Sequence, residues 1–287
     1  ELPWYGWTLI AWALVTGLSL LSVDVGAKLL GVLMTLELLS LLVTAFAVLF
    51  SSKKPEGIDL SASFAPQNIF SGGLASSAGI ALAFAFASYI GFEATAIYGE
   101  ESKDPHKTVP RATYLAVVLI TVIFGFTAFA IVTGLGASTV IDKTVELSTV
   151  DGTPLANPAA VLFNVADTYV GSWIVDLMSW LVISSLFAGL LAFQNSAARY
   201  FFALGRADVL PRKLDQVNRR GAPWVATLVT SVFSLVVIVV FWIANLDPVV
   251  NLFFWFSGLA VIAIVFVEIL VSISVIAFFS RHQGEAS

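Results

Sequence analysis

Apolar residues run in long unbroken stretches along this chain, with polar residues gathered into short clusters between them. Seven stretches reach the ~20 mostly apolar residues that a helix needs to cross a bilayer core: residues 4–22, 28–50, 74–98, 109–135, 172–204, 223–244 and 248–279. They are too long and too continuously apolar for the alternating ~10-residue segments of a transmembrane barrel. An all-α, polytopic helical membrane protein is expected, with residues 1–287 forming a single transmembrane domain. All ten prolines fall at or beyond the ends of these spans, so each is expected to start or close a helix and none to kink one. A break inside a span must then come from glycine or from packing.

Between the spans, residues 51–73 are rich in Ser, Gly and Pro and read as a loop. Asn157 and Pro158 supply an N-cap and a first-turn proline. Residues 159–168 then place Leu162, Val165 and Ala166 on one side of a short amphipathic helix. Two readings stay open for it, a lid over the outer surface or an ordinary ordered segment. No low-complexity tract or internal repeat is visible.

Composition narrows the class. Hydrophobic residues make up 59% of the 287 and charged residues 11%, where soluble domains carry about a quarter charged. Cysteine is absent, which excludes disulfides, thiolate metal sites and a cysteine nucleophile, and both histidines lie in expected loops. No metal, cofactor or nucleic-acid partner is expected. Of the 14 Lys and Arg, eleven fall on one side of the seven-span alternation: Lys28, Lys103, Lys107, Arg111, Arg199, Arg206, Arg212, Lys213, Arg219, Arg220 and Arg281. Only Lys53, Lys54 and Lys143 fall on the other. Basic residues favour the cytoplasmic side, so the N-terminus is expected outside and the C-terminus in the cytoplasm. The opening ELPWYGW has no Met, basic n-region or cleavage pattern. It reads as a fragment whose preceding spans are missing.

Four of the nineteen carboxylates lie well inside spans: Glu37, Glu93, Asp176 and Glu268. A charge near the bilayer centre costs roughly 2.5–3.5 kcal/mol on insertion scales, so such groups are expected to face the bundle interior. Glu93 has the most specific setting, two residues after Gly91 in a stretch rich in small residues. One reading is a helix unwound at the glycine, with the Glu93 carboxylate taking hydrogen bonds from freed amides. The other is a continuous helix packed closely through small residues. Glu37 and Asp176 read as proton sites or as groups hydrogen-bonded to neighbours, and Glu268 as a group bonded within the bundle. Gln194, Asn195 and Ser196 are consecutive, so they cannot all face lipid. They either join helices or line a substrate path.

The stretch GFEATAIYGEESKDPHKTVPRA, residues 91–112, resembles the sixth-span and following-loop signature of the amino acid/polyamine/organocation (APC) permease superfamily. The matches are Gly91-Phe92-Glu93, Glu100-Glu101, Asp104-Pro105, Lys107 and Val109-Pro110-Arg111-Ala112. ARYFFALGRADVLP, residues 198–211, is similar to the end of that family's eighth span. The resemblance covers essentially the whole chain. It implies two inverted five-helix repeats with a midplane substrate site between broken first and sixth helices, our seven spans being the family's fourth to tenth. The implied partners are a small-molecule substrate, the lipid bilayer and the missing N-terminal helices of the same protein.

By this resemblance the chain is a secondary transporter of the cytoplasmic membrane, not an enzyme. It moves an amino acid, or alternatively a polyamine or other organic cation, by alternating access with proton coupling or exchange. Ser88, Tyr89, Ile90, Gly91 and Phe92 would form one wall of the site, with Phe193, Gln194 and Asn195 as further substrate contacts. Glu93 would hold the unwound backbone or take part in a proton-linked gate. Glu37 would be the second proton candidate, since proton-coupled relatives carry a lysine in that part of their fifth helix. Glu100, Glu101 and Asp104 would pair with Lys107 and Arg111 in a cytoplasmic gate. Two departures bear on substrate. Ala87 stands where arginine-exchanging relatives have a gating tryptophan, and Phe187 and Ala188 stand where sodium-coupled ones have a Thr-Ser pair, with Ser184 and Ser185 one turn earlier. A seven-helix receptor is the rival of another class, but a retinal-binding one needs a lysine in its last span, and residues 248–279 have none. An intramembrane enzyme needs a catalytic pair at membrane depth, which the spans do not offer. Transport is expected of the full-length protein, not of this segment by itself.

Overall fold

A computed structural model describes residues 2–21, 27–70, 73–75, 77–97, 99, 102–150, 152–154, 157 and 159–281. The first two spans form α1 (Trp4–Leu21) and α2 (Ala27–Phe50). The segment expected to be a loop contains two short helices, α3 (Leu60–Phe64) and α4 (Pro66–Ile69). Asp59 caps α3 by accepting from the Ser61 and Ala62 amides. The third span is interrupted, as α5 (Ser77–Ala87) followed by turns and a single helical turn, α6 (Ala94–Ile97).

The fourth helix, α7 (Pro105–Leu135), starts before residue 109, and this corrects one expectation. Pro105 takes the first turn, while Pro110 lies inside the helix. Its missing N–H leaves a carbonyl unpaired one turn back, at His106. Residues 103–108 are exposed, so that carbonyl remains open to solvent.

Beyond α7 come α8 (Val140–Ser148), a two-residue antiparallel pair β1 (Thr149–Val150) and β2 (Thr153–Pro154), and α9 (Ala160–Tyr169). The long α10 (Ser172–Arg206) follows, then a 3-10 turn at Arg212–Asp215, α11 (Trp224–Ile243), a π-helical turn at Pro248–Trp255 and α12 (Phe256–Arg281). With 35 residues, α10 is about 52 Å long at 1.5 Å per residue and outreaches a ~30 Å hydrocarbon core. Among the described residues six helices are long and apolar enough to cross a membrane. The chain is an all-α multi-pass membrane protein.

What is buried and what is exposed fit a lipid solvent. Large apolar side chains point outward, Trp180, Ile183 and Leu186 of α10 among them. The interior mixes larger apolar residues with many small and hydroxyl-bearing ones: Ala45, Ala130, Ala166, Ala198, Ala226, Thr44, Thr127, Thr227 and Ser231 are all buried. Lipid supplies no hydrophobic drive for helices to associate, so small residues that allow close approach and hydroxyls that bond across helices hold such bundles together. α10 is central, touching α1, α2, α9 and α11, while α2 packs on α7 and α5 on α12.

At one end of the bundle, α9 is the amphipathic helix that residues 159–168 predict. Val165 packs with Ala45, Val48, Ala130 and Leu135, and Ala166 with Ile174 and Met178. The Asn157 side chain accepts from the Ala159 amide ahead of this helix, and Pro158 lies outside the described residues. Gly134 of α7 lets α2 and α9 close in, since a Cβ there would sit 3.2 Å from both Val48 and Tyr169. The Tyr169 hydroxyl donates to the Gly134 carbonyl at 2.7 Å, and burial pushes that phenol's pKa up.

The same end holds Lys53, Lys54 and Lys143, and each donates to carbonyls at the C-terminus of a helix. Lys54 reaches Leu49 and Ser51 at the end of α2, Lys143 reaches Leu135 at the end of α7, and Lys53 reaches Thr168 near the end of α9. A cation is favoured there because the last carbonyls are unpaired and carry partial negative charge.

Candidate functional site

The break in the third span follows from how its backbone hydrogen bonds run out. Past Ala87 the chain tightens to three-residue spacing, with Tyr89 N–H on Phe86 O, Ile90 N–H on Ala87 O and Phe92 N–H on Tyr89 O. Gly91 then takes φ +113°, a backbone state closed to most L-residues. Its N–H has no backbone acceptor among the described residues. The Glu93 carboxylate accepts it instead, through Oε2 at 2.8 Å. The Ser88 and Ile90 carbonyls and the Glu93 N–H have no hydrogen-bond partner among the described residues. Backbone groups away from water are nearly always paired, which makes these three candidate contacts for a ligand.

Side chains fix the broken segment to α7 on both sides of the glycine. The Tyr89 hydroxyl shares a hydrogen with Thr121 at 2.7 Å, and Thr95 does the same with Thr113 at 2.5 Å. The Ser88 hydroxyl turns back to the Ala85 carbonyl. Glu93 is half-buried and within electrostatic reach of the Tyr200 hydroxyl of α10. Beside the break, a cavity of about 300 Å³ opens between the broken helix, α7 and α12. Tyr89, Ile90 and Phe92 line it from one side and Glu268 from α12.

The three candidates on α10 are not brought to this cavity. Phe193 and Gln194 line a different one, of about 540 Å³, between α1, α10 and α11. The Gln194 side-chain amide lies 2.8–3.1 Å from the Thr230 hydroxyl, the Thr227 carbonyl and the Ser231 hydroxyl, all on α11. Thr16 and Trp12 of α1 reach Ser231 as well, Thr16 through its hydroxyl and Trp12 by donating Nε1–H to the carbonyl. Of the two sequence readings for Gln194, joining helices is the one its bonds express. Asn195 is half-buried beside it.

The other carboxylates part company. Glu37 is half-buried on α2, with its carbonyl accepting from Ser40. Asp176 is exposed near the start of α10. At the basic end, Lys107 pairs with Asp104 at 3.5 Å, both largely exposed and three residues apart. That is a local pair of small energetic weight. Arg111 is exposed and makes no ion pair among the described residues, and Glu100 and Glu101 lie outside those residues. The ARYFFALGRADVLP stretch has a mechanical explanation. Asp208 ends α10 in the left-handed region (φ 57°), with the Val209 amide closing on Leu204. Its carboxylate pairs with Arg212, which holds that carboxyl below its ordinary pKa. Sequence reasoning passed over Glu268 as a cavity group, because a single carboxylate in an apolar run does not reveal which way it faces.

Comparison with known proteins adds a family. A family model described as Amino acid permease matches residues 1–283. Among curated relatives, the histidine permease of Saccharomyces cerevisiae is 26% identical over 192 residues, 67% of this chain and 30% of its own length. The large neutral amino acids transporter small subunit 2 of Homo sapiens is 29% identical over 163 residues, 56% of this chain and 28% of its own. The L-lysine transport protein of Corynebacterium glutamicum is 24% identical over 158 residues, 54% and 28%. The matched segments thus span under a third of these relatives. No solved structure matches.

Proposed function

The chain belongs to the amino acid permease family, and from that premise we propose that it carries amino acids across the cytoplasmic membrane by alternating access, coupled to protons or by exchange. The observation that supports this best is the break at residues 88–93. An amino acid offers an ammonium group and a carboxylate, and both need partners where water is scarce. The freed Ser88 and Ile90 carbonyls suit the ammonium and the freed Glu93 amide suits the carboxylate. Glu93 keeps these groups available by taking over the Gly91 N–H, so an empty site does not collapse into continuous helix. Irregular backbone at membrane depth is tolerated only where protein covers it or a cavity adjoins it, and here the 300 Å³ cavity does.

In this reading the basic end faces the cytoplasm, and Glu100, Glu101, Asp104, Lys107 and Arg111 belong to its gate. Glu93 and Glu37 are the proton-linked candidates. The test is uptake by the full-length protein in proteoliposomes, with labelled amino acids and polyamines under imposed proton or sodium gradients. Saturable amino acid uptake that a proton gradient or internal amino acid stimulates is the expected result. No uptake of any amino acid by demonstrably folded protein would overturn the proposal.

A further inference from the structure

Glu268 sits midway along the 26 residues of α12 and faces the cavity beside the broken helix. A carboxylate at that depth is expensive, so a chain that keeps one there needs a compensating interaction. None is found among the described residues. The Glu268 carboxylate is half-buried and makes no hydrogen bond or ion pair among the described residues. Among the described residues no Lys, Arg or His lines the cavity. The other polar side chain of the lining is committed elsewhere, the Tyr89 hydroxyl to Thr121. The remaining walls are apolar or aromatic, with Phe86, Tyr89 and Phe92 on the broken helix and Val117 on α7. A carboxylate with no partner among the described residues, framed by aromatic rings, is an arrangement suited to an organic cation.

We propose that Glu268 recognises a cationic side-chain group of the substrate, an ammonium or guanidinium, and so makes this permease selective for basic amino acids. The inference rests on the transport reading above and extends it to substrate class. The backbone at residues 88–93 takes the α-ammonium and α-carboxylate that every amino acid has. Glu268, on the helix packed against α5, meets the group that distinguishes lysine or arginine from a neutral residue of like shape. A neutral substrate would leave the Glu268 charge unmatched in an apolar cavity, which adds discrimination to the attraction.

Lysine and norleucine have the same carbon skeleton and differ by the terminal ammonium, so they isolate the effect. In proteoliposomes, the full-length protein is expected to favour lysine over norleucine by about tenfold or more in kcat/KM. Glu268→Gln is expected to lower lysine uptake by about tenfold while norleucine uptake stays within about threefold, which also shows the variant to be folded. Equal handling of the two substrates by the unaltered protein would overturn the inference, as would a lysine preference that survives Glu268→Gln. So would a variant that keeps its lysine preference and loses only the response of norleucine uptake to a proton gradient, because Glu268 would then carry the proton. Norleucine uptake without lysine preference removes this inference alone, whereas no uptake of either removes the transport reading with it.

Discussion

Removing the Glu93 carboxylate tests whether the break at residues 88–93 is held by one hydrogen bond. Glu93→Ala deletes the sole acceptor that the Gly91 amide has among the described residues. A hydrogen bond to a charged group contributes about 1.5–3 kcal/mol. The site is half-buried, and water can partly replace the lost acceptor, so the lower end applies. A loss of about 1.5 kcal/mol in local protection corresponds to roughly tenfold faster exchange of the Gly91 amide. Glu93→Gln keeps an acceptor oxygen and loses the charge, so its increase is expected to be smaller, about threefold. Hydrogen exchange read by mass spectrometry on a peptide covering residues 88–93 measures both. The α5 amides serve as the internal control. The chain has no cysteine, so Ile90→Cys adds a second readout, the rate of thiol labelling with and without Glu93→Ala. Unchanged Gly91 exchange in Glu93→Ala would refute the pin, and a uniform rise throughout α5 would show general destabilisation instead.

Three further outcomes are expected. Gly91→Ala should cost about 1–2 kcal/mol in thermal unfolding in detergent, all of it backbone strain at φ +113°, because no atom lies within 4 Å of the added Cβ; an unchanged midpoint would contradict the assigned conformation. Gln194→Ala should cost about 1–2 kcal/mol by removing the amide between α10 and α11, at the modest worth of hydrogen bonds between membrane helices, and destabilisation below a few tenths would contradict that role. The Ser138 hydroxyl and amide hold the Glu56 carboxyl below its ordinary pKa of 4.5. A depressed folded pKa gives stability that is present above pH 4.5 and lost as pH falls through the folded value. Glu56→Gln should therefore flatten the acid side of the stability profile, and an unaltered acid slope would dismiss the contact.

The helices were legible because apolar runs of that length have one stable form in lipid. The amphipathic α9 was legible through the spacing of Leu162, Val165 and Ala166, which the structure buries or half-buries. Less legible were α3 and α4, too short for hydrophobic periodicity to separate them from loop, and α8, whose Thr139 start offers no side-chain cap. Pro110 misled because the span was drawn from apolarity, while the helix begins in the polar residues before it. At the site, glycine followed by a carboxylate raised an unwound helix and a continuous one as equal readings. The sequence does not record which hydrogen bonds Gly91 can still make, and that is what separates them. Gln194 and Glu268 turn on the same missing information. Each is a polar residue in an apolar helix, and only the direction of its side chain separates a helix joint from a cavity wall.

The three lysines at the α9 end also constrain how sidedness can be measured. Each ammonium is occupied by carbonyls at a helix terminus, and its nucleophilic form requires losing that contact. An impermeant amine-reactive reagent added to that face of sealed vesicles would label these positions slowly and make an accessible surface look hidden. Of the eleven basic residues expected on the opposite face only Lys28, Lys103, Lys107 and Lys213 carry an amine, since guanidinium groups do not react with such reagents, so amine labelling compares two small sets of lysines that differ in how tightly they are held. Cysteines introduced one at a time into a chain that has none of its own avoid this bias, and exposed Ser52, which makes no side-chain hydrogen bond among the described residues, is a suitable first position.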